Sequence, residues 1–225
     1  CEPVVPLTRR TFLTALAAFS VAAKVRAALS PVPRVYLTYD DGQRDVLPLL
    51  AAALAHEIPV SWFPTGTSLR AHPAQWARVQ EAGHLIGCHT NTHPFASHLS
   101  LDAFRRELDA WMLHARAVLG LEGATRTRWF RYPYGDGGTP LLESVFATEV
   151  TARGWRTAGW DVCLTEYASL NARKAYSTAD MAAHLNRHLK GGDVVILAHC
   201  LQPLVSHPTA LANGSIPSAR AWVAP

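Results

Sequence analysis

From residue 34 to residue 198, short runs of β-branched and aromatic residues alternate with longer segments of helical periodicity. Residues 34–39 (Arg-Val-Tyr-Leu-Thr-Tyr), 59–63, 84–88, 129–131, 157–162 and 193–198 read as strands, several closed by Pro or Gly. Residues 45–55, 73–82, 101–119, 140–152 and 177–189 read as helices, the last ended by Gly191-Gly192. The clearest is 101–119, where Leu101, Phe104, Leu108, Trp111, Met112, Ala115 and Leu119 share one face and Ser100 is a fitting N-cap. Strand–helix alternation of this kind predicts an α/β fold with a parallel sheet, rolled into a barrel.

Polar residues punctuate the pattern at its strand ends. Asp40 and Asp41 follow the first strand, His89 and His93 the third, Arg131 closes the fourth, Asp161 lies at the end of the fifth, and His199 closes the last. In a parallel α/β barrel the C-terminal strand ends meet on one rim, where catalytic groups collect. Residues more than 150 positions apart are thereby expected in one cleft. The sequence shows no internal repeat, low-complexity segment or second domain.

Composition narrows the function. With 225 residues, 49% hydrophobic and 17% charged, the chain can bury a full core. The net charge is +4, but Arg9, Arg10, Lys24 and Arg26 against Glu2 leave only +1 for residues 28–225. That body carries no basic patch, which argues against nucleic acid as a partner. The leader reads differently. Thr8-Arg9-Arg10-Thr11-Phe12-Leu13, an apolar run to Ala23 and then Val25-Arg26-Ala27 predict a twin-arginine export signal over residues 1–28. The apolar run is too short to span a bilayer. The other reading is an N-terminal amphipathic helix. The export reading makes the Tat machinery a partner, gives the mature protein no stable membrane span, and places it in the periplasm or outside the cell. Cys1, Cys88, Cys163 and Cys200 form no C-x-x-C pair, so a zinc ribbon is excluded. Buried thiols, or a pairing of Cys163 or Cys200, remain the two readings.

The sharpest chemical pattern is His89-Thr90-Asn91-Thr92-His93 with Asp40-Asp41 about fifty residues upstream. Two imidazoles four positions apart plus one carboxylate make a three-ligand set with an open position, which suits a catalytic cation. Taken alone, the spacing also fits two solvated or capping histidines. Adjacent carboxylates on an extended backbone point opposite ways, so one can hold a metal while its neighbour serves as a base; a β-turn with an Asp cap is the plainer reading. His199 ends a mostly apolar strand and is either a satisfied core residue or a general acid. Arg131, in the stiff Arg131-Tyr132-Pro133-Tyr134-Gly135 loop, can aim Asp40 or form a structural ion pair. His184 and His188 repeat the spacing with no carboxylate in register, and His84 shows no constellation. Trp129, Tyr134, Trp160 and Tyr167 could line a sugar groove or pack the core.

These residues resemble the polysaccharide deacetylases with the NodB homology domain, carbohydrate esterase family 4. Thr38-Tyr39-Asp40-Asp41-Gly42 is similar to the family's T-F-D-D-G motif, and the run from Gly83 to Pro94 to its H-[ST]-x-x-H motif. Phe130-Arg131-Tyr132-Pro133-Tyr134-Gly135 is similar to F-R-x-P-Y-G, and Val195 to His199 to a strand ending in L-x-H. The likeness spans about three-quarters of the chain. It implies a distorted (β/α) barrel and metal-dependent removal of N-acetyl groups from a polymeric amino sugar, with xylan O-acetyl esters as an alternative substrate and a silent glycan-binding relative as an alternative role. It further implies Asp41, His89 and His93 as ligands of a divalent ion, zinc or else cobalt. Asp40 would be the base that activates the attacking water, and His199 the acid that protonates the departing amine. Arg131 would orient Asp40, and the Tyr134 N–H would help stabilise the oxyanion. Two stretches depart from the pattern. The fourth motif, D-x-x-D-W, is replaced by Cys163-Leu164-Thr165-Glu166-Tyr167, so Asp161 or Glu166 is expected to supply its carboxylate. Residues 201–225 lack the expected closing helix and strand, which predicts an irregular tail after a catalytic domain of residues 29–200.

Overall fold

In a computed structural model, residues 34–42, 45–163 and 193–199 are described. The leader, the helix expected at 177–189, Glu166, Tyr167 and the tail lie outside them. Five parallel strands form the main sheet: β1 (Val35–Asp41), β2 (Val60–Pro64), β3 (Leu85–Ile86), β6 (Val162–Cys163) and β7 (Val194–His199). Their order is β3-β2-β1-β7-β6. The parallel pair β4 (Trp129–Phe130) and β5 (Arg156–Thr157) joins this sheet through a bridge between Cys88 and Phe130. The helices are α1 (Leu47–Ala55), α2 (Gly66–Ala71), α3 (Pro73–Glu81), α4 (Leu101–Thr125) and α5 (Pro140–Ala152).

The α/β alternation with a parallel sheet is as expected, and β1 is buried along its whole length, as a central parallel strand must be. Ser100 caps α4, its side chain accepting the Ala103 N–H, and Phe104, Leu108, Trp111, Ala115 and Leu119 are buried in the core. Gly120, at φ 72°, breaks the helix where the apolar face ends.

Two expectations are corrected. Residues 157–162 are not one strand: β5 pairs with β4, β6 pairs with β7, and the chain crosses between them at 158–161. The cause is a demand from the core, because the Ala158 and Gly159 carbonyls leave the ladder to accept hydrogen bonds from Arg131. Helix α2 was not expected, being too short and polar for a period. Thr65 caps it by accepting the Ser68 N–H.

Gly42 makes the turn that ends β1. It sits at φ +69°, and an added Cβ would collide with the Trp76 ring and the Ser68 hydroxyl. Trp76 Nε1–H donates to Ser68 Oγ, which donates to Gly42 O, so the ring cannot retreat without breaking this relay. Gly42→Ala is expected to cost about 2–4 kcal/mol in chemical denaturation, from overpacking plus a disfavoured φ. A loss below about 0.5 kcal/mol would show that the turn relaxes freely.

Candidate metal centre and acid–base pair

β1 delivers two adjacent carboxylates to one place. On a regular strand they would diverge, but Asp41 has φ 69°. This left-handed step cancels the alternation, a conformation Asp tolerates better than most residues. Asp41 Oδ1 lies 3.5 Å from His89 Nε2, and Asp40 Oδ2 lies 3.6 Å from the same nitrogen. The expectation that the neighbours face opposite ways is therefore corrected: both carboxylates face His89.

The loop after β3 supplies the imidazoles. His89 Nδ1 is 2.8 Å from Arg131 O. A carbonyl only accepts, so Nδ1 carries the proton, and in the neutral ring Nε2 presents a lone pair. That lone pair faces Asp41, as does His93 Nε2, 3.1 Å from Asp41 Oδ1. Asp41, His89 and His93 offer three donor atoms within 4.8 Å of one another. Asp41 Oδ1 is buried and accepts no hydrogen bond. Three converging electron-pair donors repel unless a cation lies between them, so the donor set fits a divalent ion and leaves a position open. Burial pushes the Asp41 carboxyl up. When the two imidazoles carry protons on Nε2 they more than reverse this and hold it well below the ordinary carboxylate range, the part a cation takes over when they are neutral.

Arg131 is the buried counterpart of Asp40. The two residues are 1% and 3% exposed. Arg131 donates from Nη1 to Asp40 Oδ1 at 2.8 Å and to Thr38 Oγ1 at 2.7 Å, from Nε to Ala158 O, and from Nη2 to Gly159 O. The Phe63 ring lies 4.3 Å from its guanidinium carbon, a cation–π contact in a dry setting. All this fixes Asp40 Oδ1 and leaves Oδ2 toward the pocket.

His199 ends β7 directly beside Asp40 in the β1–β7 register. A cavity of about 280 Å³ is lined by Asp40, His89, His93, Tyr134, Trp160, Cys163, Leu197 and His199. Tyr134 has φ 59° in a turn closed by Gly135 N–H to Tyr132 O and Asp136 N–H to Pro133 O, neither of which uses the Tyr134 N–H. Its ring is exposed, stacks on Phe95 at 3.8 Å and meets His93 at 4.5 Å. Asp136 ties the two loops together, accepting the Ser97 N–H and hydroxyl.

Asp161 is not at the end of a strand. It precedes β6, is exposed, and its carboxylate accepts the Val195 N–H at 2.8 Å, four residues short of His199 on β7. It does not line the pocket, and backbone carbonyls hold Arg131 instead. Cys163, standing where the fourth motif has its first Asp, does line it. Cys88 is in no disulfide, and burial pushes its thiol up. His84 is buried, its Nδ1 accepting the Val60 N–H, and burial lowers its pKa, a structural histidine as expected. The contacts of Thr38 and Phe63 with Arg131 and of Phe95 with Tyr134 escaped the sequence reading, because strand or loop residues of ordinary type give no such signal before the fold is known.

A parallel α/β sheet carrying a His–His–Asp cluster and a buried Asp–Arg pair at its C-terminal edge defines a narrow class of proteins. The polysaccharide deacetylase family model matches residues 29–152, and the chain belongs to that family. It is 27% identical over 186 residues to chitin deacetylase 2 of Saccharomyces cerevisiae, covering 73% of this chain and 57% of that one. It is 32% identical over 126 residues to a chitooligosaccharide deacetylase of Sinorhizobium fredii, covering 55% and 57%. The chain spans about half the length of the curated relatives it matches. Among solved structures, a family 4 carbohydrate esterase from Streptomyces lividans in complex with acetate shares the fold, with TM-score 0.65 and 24% identity over 80% of this chain and 86% of that one. So does a family 4 pseudoenzyme from Bacillus anthracis, with TM-score 0.65 and 18% identity over 80% and 60%.

Proposed function

We propose that this protein is a metal-dependent hydrolase that removes N-acetyl groups from an amino-sugar polymer or oligomer. The observation that carries the reading is the arrangement of Asp41, His89 and His93 around one point, beside a buried Asp40 whose second oxygen faces the pocket. Asp41, His89 and His93 would hold a divalent ion, zinc or cobalt, which when bound polarises the amide carbonyl and eases deprotonation of water. Asp40 Oδ2 takes the proton of the attacking water, while Oδ1 stays fixed on Arg131. His199, across the same cavity, returns a proton to the nitrogen as the C–N bond breaks, giving amine and acetate. The Tyr134 N–H, uncommitted within its turn, is the donor for the developing oxyanion. The exposed Tyr134 and Phe95 rings would flank an arriving sugar. Relatives are named for chitin, chitooligosaccharides and peptidoglycan, all bearing the same amide.

The test is acetate release from chitin oligomers and from peptidoglycan, as purified, after chelation, and with zinc or cobalt restored. Release that falls on chelation and returns with metal is expected. Release unaffected by chelation would end the metal reading. A second reading, a weak or silent glycan-binding relative, is favoured by Cys163 at the place of the fourth-motif carboxylate; bound stoichiometric metal without release on any substrate would select it.

For location, Arg9-Arg10 and the apolar run after them support twin-arginine export to the periplasm. Among the described residues no helix is long and apolar enough to cross a membrane. Replacing Arg9 and Arg10 by Lys together should leave the protein in the cytoplasm on cell fractionation. Unchanged export would remove the Tat machinery as a partner.

A further inference from the structure

The loop that carries both imidazoles is held in an unfavourable shape. Thr90 and His93 sit at φ 59° and 66°, and neither is glycine. A five-residue loop with two left-handed positions needs outside support, since such conformations cost about 1–2 kcal/mol per residue. Its carbonyls are used by α2: Gly66 N–H donates to Thr90 O and Thr67 N–H to Asn91 O. Its donors converge elsewhere. Asn91 N–H and Thr92 N–H reach the same oxygen, Glu107 Oε2, at 2.8 and 2.7 Å, and the Thr92 hydroxyl reaches Oε1 at 2.8 Å. Glu107 stands on the second turn of α4, on the rim of the buried face formed by Phe104, Leu108 and Trp111, so its Cα is anchored in the core. One carboxylate thus takes up two of the three backbone donors between the two histidines. Hydrogen bonds to an ionised acceptor are the stronger kind, and no neutral side chain offers two oxygens for three donors.

We infer that Glu107 is a positioning residue for the metal: its carboxylate clamps residues 91–92 so that His89 and His93 turn their Nε2 atoms toward Asp41. The inference rests on the metal reading above. It lies outside every motif in the sequence, because the contact joins a loop to a helix further on, fifteen and sixteen positions away.

The experiment measures zinc affinity directly, by competition with a chromophoric chelator, on the full chain and its Glu107→Ala, Glu107→Gln and Glu107→Asp variants. Supporting groups of this kind tune metal affinity by about 10–100-fold. Glu107→Ala should weaken zinc by that factor, and Glu107→Gln, which keeps one acceptor oxygen, by less. Turnover of Glu107→Ala should recover toward the parent value as zinc is raised to saturation. Circular dichroism of the zinc-free forms separates affinity from folding: if Glu107→Ala is unfolded, Glu107→Gln carries the comparison. Zinc affinity within twofold of the parent in folded Glu107→Ala and Glu107→Gln overturns the inference alone. A parent chain that binds no zinc overturns the metal reading and this inference together.

Discussion

Asp40→Asn should bind metal as the parent does and lose turnover by about 10²–10⁴-fold, the range for removing a positioned general base. The substitution is close to isosteric, and Asn Oδ1 can still accept from Arg131 Nη1, as the carboxylate does at 2.8 Å. What disappears is the oxygen proposed to accept the proton, Oδ2, which faces His89 and the cavity. The proposed ligand set Asp41, His89 and His93 is untouched. The change should therefore fall on kcat, with bound metal and KM little altered. Metal analysis beside steady-state kinetics checks both halves. Turnover within tenfold of the parent would take the base role away from Asp40. Loss of metal together with turnover would show that Asp40 shares in holding the ion.

Most residues of the candidate site were legible because they sit at the C-terminal strand ends, and those ends can be read from hydrophobic runs alone. Asp40, Asp41, His89, Arg131 and His199 all come from strand ends that the structure places in one region. What failed was local geometry. Alternation along a strand predicts that Asp40 and Asp41 diverge, and it holds only while φ stays extended; the left-handed φ of Asp41 undoes it. Asp161 was misplaced for a related reason. Periodicity sees Thr157 to Val162 as one run, whereas Arg131 draws the Ala158 and Gly159 carbonyls out of the ladder and splits it. Sheet order was not legible either, since β7 inserts between β1 and β6, a pairing that no local pattern encodes. Glu107 belongs with these non-local contacts.

Arg131→Leu is expected to be the most destabilising single change at the site, by about 3–5 kcal/mol in urea unfolding, because it strands a buried carboxylate. Asp40 is 3% exposed, and Arg131 supplies its close ion pair. The same change removes the donors to Thr38, Ala158 and Gly159, the last two being backbone carbonyls at the crossing between β5 and β6. Arg131→Lys should recover little of this, since one ammonium cannot reproduce a planar fork that reaches four residues. A double-mutant cycle separates charge from packing. If the stranded carboxylate dominates, Asp40→Asn combined with Arg131→Leu should be less destabilised than the two single losses summed, by more than about 1 kcal/mol. Additive losses would mean that the carbonyl contacts carry the stability and that the ion pair serves to aim Asp40. A loss below about 1 kcal/mol in Arg131→Leu would contradict both accounts. It would mean that Asp40 finds another partner or water once the guanidinium is gone, and the aim of the base could then not depend on Arg131.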